Sequence, residues 1–190
     1  DCWSIANGRL IERTLATSAL IRNDIAPKRT GWEPTGRIGL AWKAAPALTI
    51  RSAAYLGWRL PTLNELYRPF RVGADATAAN PALKPERMKG AEIGFDWFVA
   101  EHARISATAF ANRLDDAIAN VTLGSGPGVF PGVGFVAAGG AFRQRQNLDA
   151  ISARGLEIDA SYRVQNWRLQ ASYAYTRARV QGSGLALPLD

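Results

Sequence analysis

The chain has 190 residues, of which 47% are hydrophobic and 21% charged, a composition that excludes a disordered tail. The net charge of +7 suits nucleic acid, an anionic membrane surface or acidic ligands, yet the 23 basic residues are scattered, with no run denser than "RQRQ", which argues against nucleic acid. A single cysteine, Cys2, and a single histidine, His102, leave no internal disulfide, no cysteine metal cluster and one imidazole on which a catalytic triad could stand.

The first thirty residues are ambiguous. "ANGR" after "CWSI" offers an Asn-Gly hairpin turn, and "LIERTLATSAL" fits a strand or a helix equally well. From there a period of two takes over, the signature of strands with one apolar face. "WEPTGRIGLAW" sets Gly36, Ile38, Leu40 and Trp42 against Thr35 and Arg37. "LTIRSAAYLGW" sets Leu48, Ile50, Ala54, Leu56 and Trp58 against Thr49, Arg51 and Tyr55. The next stretch, "WRLPTLNELYRPF", breaks the pattern at Pro61, which cannot donate to a ladder, and no clear strand resumes until about Lys89.

"AEIGFDW" then opposes Ala91, Ile93, Phe95 and Trp97 to Glu92 and Asp96. "RISATAFAN" alternates with Phe110 on the polar side, and the alanines of "RISATAFANRLDDAIANV" would also tolerate a helix. His102, in "VAEHAR" between these two stretches, reads as a solvated turn residue. Residues 114–153 are long and rich in glycine. "RGLEIDASYR" and "WRLQASYAYTR" complete six alternating stretches, the last with Trp167 on its apolar face.

Short connections alternate with long ones, 59–88 and 114–153, which is the layout of an outer-membrane barrel. The tryptophans favour this over a soluble sandwich. Trp42, Trp97 and Trp167 fall at the short-turn end of the apolar face, and Trp32 and Trp58 at the long-loop end. Indole rings prefer membrane–water interfaces, whereas a sandwich places its large aromatics near mid-strand. No run approaches the roughly 18 apolar residues of a membrane helix. The opening "DCWSIANGRL" is not a signal peptide, and both ends look cut mid-pattern, so the chain reads as a fragment.

Four stretches in order, "RLPTLNELYRPF", "ANPALKPERMKGAEIGFDW", "RISATAFANRLDDAIANV" and "RQRQNLDAISARGLEIDASY", resemble the C-terminal β-barrel of TonB-dependent outer-membrane receptors over about residues 31–179. The resemblance implies an all-β, antiparallel up-and-down transmembrane barrel of about 22 strands, of which 1–190 would be an open piece of about 6–8 strands. It also implies a place in the outer membrane of a Gram-negative bacterium, with short turns in the periplasm and segments 59–88 and 114–153 outside. The partners implied are outer-membrane lipid, an N-terminal plug absent from this chain, the TonB complex acting through that plug, and an imported ligand. That ligand would be a ferric siderophore, haem, cobalamin or an oligosaccharide. No cofactor, metal, nucleic acid or enzymatic activity is implied. A self-contained small outer-membrane barrel, acting as an adhesin or lipid-modifying enzyme, is the competing reading.

Candidate site residues follow from the two long segments. Asn64, Glu65, Tyr67, Arg68 and Arg71 offer donors, acceptors and a stacking ring beyond the strand end, and arginine suits carboxylate-bearing ligands. Alternatively, Leu63, Leu66, Tyr67 and Phe70 form a small core that packs this segment onto the rim. Arg143, Arg145 and Asn147 stand in the second segment, which is expected to carry recognition while 60–71 supports the rim. On the polar face Glu92, Asp96, Glu157 and Asp159 are mixed with Arg37, Arg51, Arg163 and Arg168, a pattern for ion pairing rather than paired catalytic carboxylates. Antiparallel pairing is expected to set residue 49 opposite 96 and 53 opposite 92, within diagonal reach of Arg51.

Overall fold

The computed structural model describes residues 1–13, 17–18 and 20–181. All six alternating stretches form one antiparallel sheet, here called the wall. In chain order its strands are β5 (Gly36–Ala45), β6 (Leu48–Arg59), β9 (Glu86–Ala100), β10 (Ala103–Asp115), β15 (Ala150–Val164) and β16 (Trp167–Gln181), joined in the order β16-β15-β10-β9-β6-β5. Each runs 10 to 15 residues, enough for the ~9–11 that a tilted membrane strand needs. Three two-residue turns, at 46–47, 101–102 and 165–166, close one end, and His102 lies exposed in the second. The alanine-rich stretch left open between helix and strand is strand, in β10 up to Asp115 and again from Ile118 in a second sheet.

Pairing fixes which residues share a face. Thr49 lies opposite Asp96 and Ala53 opposite Glu92, so Leu48, Ile50 and Leu56 share a face with Phe95 and Trp97. The same rows continue through Ile105, Ala160 and Ala171. Leu48, directly after its turn, pairs with Trp97, several residues short of the next turn. Hydrogen-bonded rows therefore climb away from the turns across the sheet, the stagger that tilted barrel strands require. Trp42, Trp97 and Trp167 project from the apolar face near the short turns, and Trp58 from the same face at the other end.

The continuous strand expected from Trp32 to Trp42 is broken. Trp32 ends β4 (Arg29–Trp32), Pro34 interrupts pairing, and β5 starts at Gly36. The Asn7–Gly8 hairpin expected after "CWSI" is also absent. β1 (Cys2–Ile5) pairs with β4 instead, and between them β2 (Gly8–Arg13) pairs with β3 (Leu20–Ala26). The connection within 14–19 falls largely outside the described residues.

The two long segments are the larger correction, since both are folded rather than irregular. The first holds α1 (Leu63–Tyr67), β7 (Phe70–Val72) and β8 (Asp75–Ala78). The second holds β11 (Ile118–Ser125), β12 (Gly128–Phe130), β13 (Gly134–Val136) and β14 (Ala141–Asn147). They join in one sheet of order β11-β14-β8-β7, in which β14 and β8 run parallel, Phe142 opposite Ala76. We call this the loop tier.

The tier contains most of the buried core. Ala76, Ala78, Val136 and Phe142 pack together with Phe130 and Val133, and the Phe130 and Phe142 rings stack at 4.6 Å. A second cluster joins Ile5, Leu66 and Leu83 with Trp3, Leu60, Tyr67 and Ile118. The core expected around α1 thus exists, but Leu63 and Phe70 are exposed and its other members come from distant parts of the chain.

Candidate functional site

The site has two storeys, the polar face of the wall and the loop tier beyond the strand ends. On the wall, long polar side chains reach across glycines. Gly94 separates Arg51 from Thr108 in one row, and Gly90 separates Tyr55 from Asn112 in another. A Cβ on Gly90 would come within 2.5 Å of the Tyr55 ring, and one on Gly94 within 2.5 Å of the Ala107 carbonyl oxygen. The bare backbone lets the Tyr55 hydroxyl donate to Asn112 Oδ1 at 2.7 Å and Arg51 to Thr108 Oγ1 at 3.1 Å. Arg51 Nε also donates to Asp96 Oδ2 at 2.8 Å, and Arg104 donates to the other carboxylate oxygen at 2.5 Å. Glu92, the other acid within diagonal reach, makes no ion pair among the described residues. Phe110, placed by its pattern on the polar side, lies over Gly155.

At the junction of the storeys Arg59 is the hub. Its guanidinium donates to Glu86 Oε2 at 2.5 Å and to both Glu65 oxygens at 3.0 and 3.3 Å. The remaining Glu86 oxygen accepts from the Ile118 N–H at 2.7 Å, joining the second long segment to the wall. Glu65 is also half of a capping box: its backbone N–H donates to Thr62 Oγ1, and its carboxylate accepts from the Thr62 N–H. Burial pushes the Glu65 carboxyl up, but Arg59 and Thr62 outweigh it and hold it below its ordinary value.

The other candidates divide by what they touch. Arg145 donates to the Asn64 and Arg68 carbonyls and stacks its guanidinium 4.9 Å over the Phe70 ring, and burial lowers its pKa. Arg71 donates to the Val133 and Phe135 carbonyls. Arg143 pairs with Asp75 at 2.8 Å; the Ala141 N–H, ahead of Arg143, holds that carboxyl below its ordinary value despite some desolvation. Asn147 accepts from the Lys84 N–H and donates to the Lys84 and Asp116 carbonyls. Tyr67 is half-buried against the Leu66 cluster. Asn64 and Arg68 alone keep exposed side chains that make no hydrogen bond among the described residues.

Sequence reasoning passed over Arg59, Glu86, Asn80, Asp75 and the Glu33–Arg87 pair. Asn80 takes the Arg145 carbonyl with its side chain, while its N–H donates to the Glu65 carbonyl. Arg87 donates twice to Glu33, both at 2.6 Å, which is the main reason that carboxyl lies below its ordinary value. The one available signal was that Glu33, Asn80 and Glu86 each stand beside a proline; Arg59 and Asp75 carry none.

An open antiparallel wall with one apolar face, staggered rows, short turns at one end and a folded tier at the other defines part of a transmembrane barrel. The family described as "TonB dependent receptor-like, beta-barrel" matches residues 12–189, and the chain belongs to that family. Among curated proteins it is 29% identical over 136 residues to hemoglobin and hemoglobin-haptoglobin-binding protein B of Haemophilus influenzae, and 29% identical over 140 residues to protein C of that series. Each alignment covers 68% of this chain and 12% of the relative, so the chain corresponds to a small part of those proteins.

Solved structures share the fold. The copper transporter OprC matches with a TM-score of 0.67 at 19% identity, over 94% of this chain and 26% of that one. The Serratia marcescens hemophore receptor HasR, solved with its hemophore HasA and heme, matches at 0.65 and 17% identity, over 93% and 29%. The siderophore receptor PirA of Pseudomonas aeruginosa matches at 0.63 and 13%, over 83% and 30%.

Proposed function

We propose that this chain forms part of the wall and two outer loops of a TonB-dependent receptor that takes haem from a carrier protein across the outer membrane of a Gram-negative bacterium. The observation that carries the carrier-protein reading is the β12–β13 hairpin. Val129 and Phe135 are paired across it, yet they are 79% and 61% exposed. Paired large apolar side chains left open on a loop suit docking of a protein surface better than capture of a small polar chelate. The names of the Haemophilus relatives point the same way. His102, the only imidazole in the sequence, lies at the short-turn end, so a histidine ligand to haem iron would come from elsewhere.

On this reading segment 114–153 makes the recognition contact, with Arg68 and Asn64 beside it. Glu65, Tyr67, Arg71, Arg143, Arg145 and Asn147 act indirectly by holding the tier in shape. Trp32, Trp42, Trp58, Trp97 and Trp167 meet the membrane interfaces, while the polar wall, with Glu92 and Glu157 in no ion pair among the described residues, faces the plug through which the TonB complex acts. The protein is a receptor and not an enzyme. The relatives and structures above are all several times longer than this chain, which favours this over a self-contained small barrel.

The test uses the full-length receptor in detergent, with hemoglobin, free hemin and a ferric siderophore as separate ligands. Hemoglobin should bind, and Val129→Asp with Phe135→Asp should weaken it at least about tenfold, with Arg68→Ala the smaller effect. Point changes are preferable to deletion, which would take Val136 and Phe142 out of the tier core. Undiminished hemoglobin binding by the double variant would place recognition elsewhere, on the plug first.

A further inference from the structure

The apolar face of the wall turns basic at its tier end. Lys89 (β9), Arg113 (β10), Arg154 (β15) and Arg177 and Arg179 (β16) share this face and line one groove of about 550 Å³ with Ser152. Their partners are few. Asp115 takes Arg113 at 2.5 Å and Lys89 at 3.1 Å, and Arg113 also donates to Gln181. Arg154, Arg177 and Arg179 have no ion pair among the described residues. Moreover, Arg154 and Arg177 lie directly opposite each other in the β15–β16 register. Like charges at that position repel, so the placement weakens the wall unless an anion joins them.

The height of the patch says what kind of anion. Lys89 and Trp97 stand eight positions apart on one face of β9, about 27 Å along the strand and roughly 21 Å along the barrel axis after a tilt near 40°. That is close to the ~25 Å height of a barrel's apolar band. Leu156, Ile158, Tyr173 and Tyr175 fill the rows directly below the arginines. Apolar rows that end in unpaired cations complement a molecule with acyl chains below and negative charge above.

We propose that this groove seats the phosphorylated headgroup of an outer-leaflet glycolipid, with Arg154 and Arg177 clamping a phosphate between β15 and β16 and Lys89, Arg113 and Arg179 around it. Guanidinium pairs phosphate oxygens bidentately, which a bare lipid hydroxyl cannot reproduce. The proposal rests on the preceding reading only in taking the tier end as the outside.

The test uses the full-length receptor in phosphatidylcholine vesicles doped with bisphosphorylated lipid A, with its dephosphorylated form, or with neither plus free inorganic phosphate. Bound glycolipid is counted by mass spectrometry after extraction. Wild type should retain bisphosphorylated lipid A at least about tenfold over the dephosphorylated form, and Arg154→Gln with Arg177→Gln should erase that preference. Arg154→Lys with Arg177→Lys should keep most of it, and Arg168→Gln, on the other face, all of it. Heat-modifiable migration on gels verifies assembly of each variant, and hemoglobin binding in parallel separates loss of the lipid seat from failure of the haem reading. Equal retention of the two lipid A forms by wild type overturns the proposal, as it would if carboxylates elsewhere in the full chain neutralise the patch. Inorganic phosphate displacing the lipid at millimolar levels would show a free-anion site instead.

Discussion

In the wall, Ile38 and Ile93 are 72% and 60% exposed, while in the tier Leu66 and Leu83 are each 1% exposed. The same chain thus uses two kinds of cohesion. The wall is held by backbone ladders and by side chains laid across glycines, and its apolar face is left for lipid. The tier is held as a soluble domain is, by a buried core, a helix cap and ion pairs at its base. Only a closed barrel satisfies its backbone in a bilayer, whereas the tier carries its own partners in water. The difference predicts which region each perturbation will damage.

The largest effect should come from removing lipid altogether. Expressed alone in detergent-free buffer, the chain should aggregate, because the wall exposes Ile38, Leu40, Trp42 and Ile93 in one patch and offers open edges at β5 and β16. A monodisperse, cooperatively unfolding monomer in light scattering and calorimetry would break the comparison. Next, Leu66→Ala in the full-length receptor should cost the tier about 2–5 kcal/mol. Hydrogen exchange should rise at Leu66, Leu83 and Ile118 while barrel assembly is unchanged. Loss of assembly would mean that wall and tier are one cooperative unit.

Within the wall, Gly94→Val should cost about 1–3 kcal/mol, because the new side chain meets backbone at Ala107. Gly90→Ala should cost less, since the Tyr55 ring and the Asn112 amide can swing aside. Urea midpoints of the refolded receptor would rank them. Acid sharpens the contrast further. Glu33, Glu65 and Asp75 all have lowered values in the folded tier and its base, so their stabilisation is present above the ordinary carboxylate range and is lost as pH falls through the folded values. Below about pH 4 the tier should loosen first, visible as faster exchange at Thr62 and Ala141, whose N–H groups donate to Glu65 and Asp75. The smallest effect belongs to Arg51→Ala, at less than about 1 kcal/mol, because its pair with Asp96 is partly solvated and Arg104 remains on that carboxylate.

The wall was legible in the sequence because a period of two leaves little freedom. Once Leu48 and Trp97 share a face near their turns, the 49–96 and 53–92 pairings follow. The tier was not legible, because its contacts are neither periodic nor local. Arg145 reaches Asn64 and Arg68 across most of the wall sequence, and β14 joins β8 through residues that read as loop. Glycine richness marked 114–153 as a long loop, where the structure stacks Phe130 on Phe142 in a buried core. Of the candidate residues, the Arg51–Asp96 pair could be placed from register alone. The duties of Arg145, Arg71 and Asn147 could not, since each binds a backbone carbonyl that no pattern marks.

The parallel pairing of β8 with β14 has a consequence for how such receptors diversify. The two long segments share a ladder, a core and three arginine tethers, so neither is a free cassette. Grafting 114–153 from another receptor would bring a new edge to β8 and leave Asp75 without its own Arg143 and Ala141. New specificity therefore has to enter either at the β12–β13 tip, which lies outside the shared ladder, or through both segments exchanged together.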